Sequence, residues 1–155
     1  SALPAKQRRQ GLKLSKKYLQ LLEFLLIYPE ALPHFLAAGL DEVIGIENGS
    51  VRIILDQLQD LDLSGQGDGA EVLLERLEGE ERMLVARLLI EPPSYADEIK
   101  DQVINEMTAW VSKQAWQIRK SRLLGRINQA QLEGDDVLLM ELLEEKKKMD
   151  EVSYT

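Results

Sequence analysis

The sequence predicts an all-α protein: a globular multi-helix subdomain followed by a long helix and a C-terminal helical hairpin. Three observations point to it. Apolar residues recur at three- and four-residue spacing through most of the chain, and no stretch shows strand alternation bounded by hairpin turns. Residues 96–132 contain no proline and one glycine, Gly125, and so read as one long helix. Glu133-Gly134-Asp135 then makes a tight break before the run 137–146, whose leucines and glutamates fall on opposite sides of a return helix.

Taken in order, residues 1–14 have no periodicity and many charges and read as a linker. Ser15 is a fair N-cap for a helix over 16–28, which is apolar on nearly all sides and therefore central to the core. Pro29 ends it, because the residue before a proline resists helical geometry. Residues 30–38 form a short helix with Pro33 near its start and Gly39 past its end. Residues 41–46 add one more turn. Asn48-Gly49-Ser50 is a turn, with Ser50 placed to cap a helix carrying Val51, Ile54, Leu55, Leu58 and Leu61 at helical spacing.

Residues 62–69 read as a loop, and 70–77 as a helix with Val72, Leu73 and Leu77 inward. Gly79 breaks it. Glu80 and Glu81 suit the positive end of another helix, carrying Met83, Leu84, Leu88 and Leu89, which Pro92-Pro93 ends. The expected core is Leu22, Leu26, Ile54, Leu58, Leu77, Leu84 and Leu88.

The long helix changes phase. Ile99, Val103, Met107 and Trp110 share one side, with Ile104, Val111, Ala115 and Ile118 beside them. Extended past Ile118, that stripe meets Arg122 and Gly125; the apolar positions resume, rotated, as Leu123, Leu124, Ile127 and Ala130. One face therefore serves the globular unit and another the hairpin, with a bend or break expected over 120–125. The division is linker 1–14, globular subdomain 15–93, connecting helix 94–119, hairpin 120–150 and tail 151–155. Of Trp110 and Trp116, one is expected in the core and the other as an exposed anchor.

In the hairpin, Gly134 takes the left-handed conformation that ends the outgoing helix, and Asp135 or Asp136 caps the return helix. Leu138, Leu139, Leu142, Leu143 and Met149 make a stripe wider than a two-helix seam. Either Leu138 and Leu142 or Leu139 and Leu143 face the outgoing helix, and the other pair faces a partner.

Composition bounds the function. The 155 residues fit one domain or one domain with an appendage. There is no cysteine, which excludes a disulfide frame and any Cys-based metal or redox site. No run of apolar residues is long enough to span a membrane and no signal-peptide core opens the chain, so the expected setting is cytoplasmic. Ser1-Ala2-Leu3 reads as a tag remnant, and the chain as a piece of a longer protein.

The net charge of −8 is uneven. Residues 1–20 hold six bases and no acid; 41–101 hold 16 acids against five bases, a local balance of −11. Lys113, Arg119, Lys120, Arg122 and Arg126 then form a basic run with no acid. The acidic middle repels phosphate backbones, so nucleic-acid contact is not expected, and the basic run reads first as a solvated helix face. A helical nucleic-acid-binding module is the second reading.

No residues assemble the chemistry of an enzyme, and no cofactor or metal is expected. Gly134-Asp135-Asp136 is a capping turn rather than a metal motif. The glycines of 64–69 lack the Gly-Lys-Ser/Thr ending and preceding strand of a phosphate loop. Asp60 and Asp62 lie at a helix end facing solvent, Asn48-Gly49-Ser50 is a turn rather than a used glycosylation site, and His34 has no catalytic companion at a meaningful spacing.

The string Lys17-Tyr18-Leu19-Gln20-Leu21-Leu22-Glu23-Phe24-Leu25-Leu26-Ile27-Tyr28-Pro29-Glu30 follows a basic linker. The chain closes with Arg122-Leu123-Leu124, then residues 130–136, then Leu138-Leu139-x-x-Leu142-Leu143-x-Glu145. In order and spacing these resemble the C-terminal, helicase-binding domain of bacterial DNA primase of the DnaG type, over most of residues 15–150. The N-terminal domain of the replicative helicase has a similar helical layout and is the alternative. The primase resemblance implies a non-catalytic domain that binds the N-terminal domains of the DnaB-type replicative helicase. With that partner, the expected contact set is Leu138, Leu139, Leu142, Leu143, Lys146 and Met149, together with Arg122 and Arg126, and the basic face Arg119, Lys120, Arg122 and Arg126 is expected to steer the encounter. The loop 62–69 and the tail after Asp150 depart from the family pattern.

Overall fold

The computed structural model describes residues 16–45, 49–64, 69–91 and 95–152. Its first described helix supplies a large part of the core. Helix α1, Lys16–Ile27, buries Leu21, Leu22, Phe24 and Leu25 and rests Tyr18, Leu19 and Leu26 against the same core. Pro29 stops it, leaving Tyr28 at a non-helical ψ of 70°. A 3-10 turn, Pro29–Ala31, leads into α2, Leu32–Ala38, and a glycine joins that to α3, Leu40–Ile44. Helices α4 (Gly49–Ser64), α5 (Gly69–Arg76) and α6 (Gly79–Ile90) pack on one another and complete the globular part.

A second 3-10 turn, Asp97–Ile99, opens α7, Lys100–Glu133, and α8, Asp136–Glu151, returns along it. The start of α7 is fastened to the end of α1. The Tyr28 hydroxyl donates to Asp97, whose carboxylate pushes the phenol up to about 12. The Lys100 ammonium donates to Glu30 and stands 4.9 Å over the Tyr28 ring. Among the described residues there is no strand.

At Gly39 the backbone approaches α7 closely. The glycine's φ is +110°, and a Cβ placed on it would stand 2.7 Å from the Ala115 Cβ. The missing side chain lets α2 and α3 lie directly on α7. The Arg119 guanidinium then donates two hydrogen bonds to the Glu42 carboxylate, at 2.8 and 2.7 Å.

Those bonds hold the Glu42 carboxyl below its ordinary value of 4.5. A depressed carboxyl stabilises the fold above its unfolded pKa, and the contribution is lost as pH falls through the folded value. Glu42→Gln should therefore flatten the acid limb of a stability–pH curve below about pH 4.5. The pair is partly exposed, so the change at neutral pH should stay under about 1 kcal/mol by chemical denaturation.

The apolar residues form two clusters with no shared member. The larger takes the globular helices and Val103, Met107, Val111 and Ala115 of α7. The smaller is Leu123, Ile127, Ala130 and Leu142, with Leu138, Leu139 and Met149 against it. Along α7, Ile118 packs on the larger cluster and Leu123 belongs to the smaller. The expected bend over 120–125 is absent: α7 runs unbroken through Gly125, around which nothing crowds or needs room.

Other expectations change in detail. Helix α4 continues to Ser64 and α5 begins at Gly69, which shortens the expected loop; residues 65–68 lie outside the described residues. Ser50 sits within α4 and donates to Glu81 on α6 rather than serving as the cap. On α6 the inward residues are Leu84, Val85 and Leu88, while Met83 and Leu89 face outward. Ile99 and Leu124 are also exposed, and Leu26 is half-buried at the core edge. Helix α8 reaches Glu151, past the expected hairpin boundary. Ser15, Ile46, Asn48, Pro92 and Pro93 lie outside the described residues.

Candidate protein-docking site

The hairpin is set by its turn. Gly134 adopts φ +69°; its N–H donates to the Gln131 carbonyl and the Asp135 N–H to the Ala130 carbonyl. That paired closure is a Schellman motif, which satisfies the last carbonyls of α7. The Asp135 carboxylate then accepts from the Leu138 N–H at 3.1 Å and caps α8. Asp135, not Asp136, is the capping residue.

This start angle fixes the phase of α8. Leu142 becomes its one buried residue, at 1% exposure, against Leu123, Ile127 and Ala130 of α7. Leu138 and Leu139 are both half-buried on this cluster, so the two expected pairs do not separate cleanly. Leu143 is 43% exposed, and Val137 and Met140, 74% and 69% exposed, continue its line toward the tip at three-residue spacing. The outer flank of α8 is therefore apolar and uncovered, and Leu132 near the tip of α7 is exposed as well.

The base of the hairpin is charged. The Lys120 ammonium donates to Asp150 at 2.7 Å and stands 4.8 Å over the Trp116 ring. Lys146 donates to the other oxygen of Asp150 at 2.9 Å. These two ammonium groups, Lys120 first, hold the Asp150 carboxyl below the usual carboxylate range. Lys146, expected in the partner contact, is half-buried in this clasp. Arg126 reaches Glu145 only at 3.9 Å, and Arg122 is exposed.

Beside the clasp, a groove of about 570 Å³ runs between α7 and the end of α8. Its apolar lining comes from Trp116, Leu123, Met149 and Val152. Arg119, Arg122, Arg126, Glu145 and Lys148 rim it. Of the expected contact residues, the groove gathers Arg122, Arg126 and Met149, while Leu138, Leu139, Leu142 and Leu143 lie along the body of α8. Lys148 and Val152 were not among the expected contacts, and Trp116 was one of the two tryptophans considered as an anchor. The four-residue spacing of Trp116 and Lys120 was the available signal. Both tryptophans are half-buried: Trp110 packs edge-on against Tyr18, and Trp116 lines the groove.

Among the described residues, no group of three or more His, Asp or Glu is placed to hold a metal ion. His34 is exposed on α2, and Asp60 is paired with Arg76. No single described helix is long and apolar enough to cross a membrane. No protein-family model, curated protein or solved structure matches the chain.

Proposed function

We propose that this chain is the non-catalytic, helicase-binding domain of a bacterial DnaG-type primase. Its hairpin docks onto the N-terminal domains of the DnaB-type replicative helicase and couples priming to unwinding at the fork. The observation that carries the docking element is the uncovered apolar line Val137, Met140 and Leu143 on a hairpin with only four buried residues of its own. The helicase as partner rests on the resemblance of the leucine and charge pattern. The nucleic-acid reading is weakened by the basic run itself, because Arg119 and Lys120 are engaged with Glu42 and Asp150.

Sizing chromatography of the chain with the helicase N-terminal domain should show co-elution. In calorimetric titration, Met140→Ala and Leu143→Ala should each weaken binding by about 1–3 kcal/mol without changing helicity, as interface anchors do. Wild-type affinity in both, or undiminished binding by a chain ending at Gly134, removes the hairpin as the docking element. Binding to labelled DNA that collapses steeply with salt, with no helicase binding, favours the nucleic-acid reading.

A further inference from the structure

We propose that the groove at the base of the hairpin is a docking site for one acidic amphipathic helix of a protein partner. The inference rests on reading the hairpin as a protein-docking element, but it uses the base of that element rather than its outer flank.

Charge complementarity selects the occupant. The chain carries a net charge of −8, and several described cations are held by carboxylates. Arg52, Arg76, Lys100, Lys120 and Lys146 each have a carboxylate oxygen within 3 Å. At the groove Arg119 is paired with Glu42, but the matching there is incomplete. Arg122 and Lys148 are exposed, with no carboxylate at ion-pair distance among the described residues. Arg126 has only Glu145, at 3.9 Å, with both side chains more than half exposed. Positive charge thus collects around apolar side chains on a chain of net charge −8.

A phosphate or a nucleic-acid backbone would meet the cations but leave Trp116, Leu123, Met149 and Val152 facing polar groups. A helix meets both demands. Apolar side chains at three- and four-residue spacing cover the apolar lining, and carboxylates on its flanks receive the forked donors of Arg122 and Arg126. The groove runs along the seam between α7 and α8, so the incoming helix lies beside them as a third member.

The test is a display selection of helix-length peptides on the full chain, counter-selected on the double substitution Arg122→Glu and Lys148→Glu. Expected are sequences with apolar residues at helical spacing flanked by Asp or Glu. Their affinity should fall roughly tenfold or more on the charge-reversed chain, since truncating or reversing docked charges costs that much. Circular dichroism checks the fold; if charge reversal lowers the melting point, Arg122→Gln with Lys148→Gln carries the same comparison. A selection that yields no peptide sensitive to these substitutions overturns the proposal. So does a single-stranded oligonucleotide or a phosphatidylglycerol vesicle that competes the peptides off and depends on the same two residues. The helicase N-terminal domain is titrated in parallel. Groove-dependent peptides without helicase binding keep the groove and remove the proposed partner; helicase binding without such peptides removes the groove and keeps the partner.

Discussion

Gly39→Ala should lower the melting temperature of the chain by roughly 10 °C, at about 2–4 °C per kcal/mol for a domain of this size. Two costs add. A side chain at φ +110° is strained, by about 1–2 kcal/mol on the usual scale for left-handed backbone. The new Cβ also meets the Ala115 Cβ at 2.7 Å, and overpacking of this kind costs about 1–3 kcal/mol. Ala115 is fully buried on a helix held by neighbours, so little can give way. The two costs separate in a double substitution. Ala115→Gly removes the collision and leaves the strain, so Gly39→Ala with Ala115→Gly should lose less than the two single changes together. A Gly39→Ala chain that melts with the wild type would mean that α2 and α3 do not sit on α7 as described.

Leu142→Ala should melt the hairpin and spare the rest. Truncating a buried leucine costs about 2–5 kcal/mol. Here the loss falls on a cluster of four buried residues, of which Leu142 is the sole contribution from α8. Hydrogen exchange should accelerate throughout α8 and in α7 beyond Leu123, while amides of α1 and α4 keep their protection. A chain ending at Arg119 retains every buried residue of the larger cluster and should show its own cooperative transition. Met140→Ala, on the exposed flank, should leave the hairpin's stability unchanged. If Leu142→Ala instead lowers protection equally in both parts, the two clusters are one cooperative unit.

What was legible in the sequence was local chemistry. Proline after Tyr28, glycine at 39 and 134, and aspartate at 135 each act on their nearest neighbours, so the element ends they mark are where the chain turns. The phase change along α7 was legible for the same reason, being a property of one helix. The phase of α6 was not: Met83, Leu84, Val85, Leu88 and Leu89 are apolar on most sides, and which of them turn inward is decided by α4 and α5. A bend at Gly125 was expected because glycine weakens a helix; the cost is only about 1 kcal/mol, which the flanking helix absorbs. The site was the least legible part. Arg119 meets Glu42 across 77 positions, and the groove joins Trp116 to Val152, pairings that no local spacing announces. The pairs Trp116 with Lys120 and Lys146 with Asp150 lie four apart and were open to being read.

An unbroken α7 through two separate cores is a lever. The globular helices grip its first half, and the last gripped position, Arg119, is 14 residues from Glu133. At 1.5 Å per residue the arm beyond it is about 21 Å long. A rod held this way converts a tilt of about 10° at the grip into roughly 4 Å of travel at the tip, most of one helical turn. Load applied to the tip returns along the same arm to Gly39 and the Arg119–Glu42 pair, the contacts nearest the fulcrum. A hinge at Gly125 would have dissipated that motion; a continuous helix delivers it.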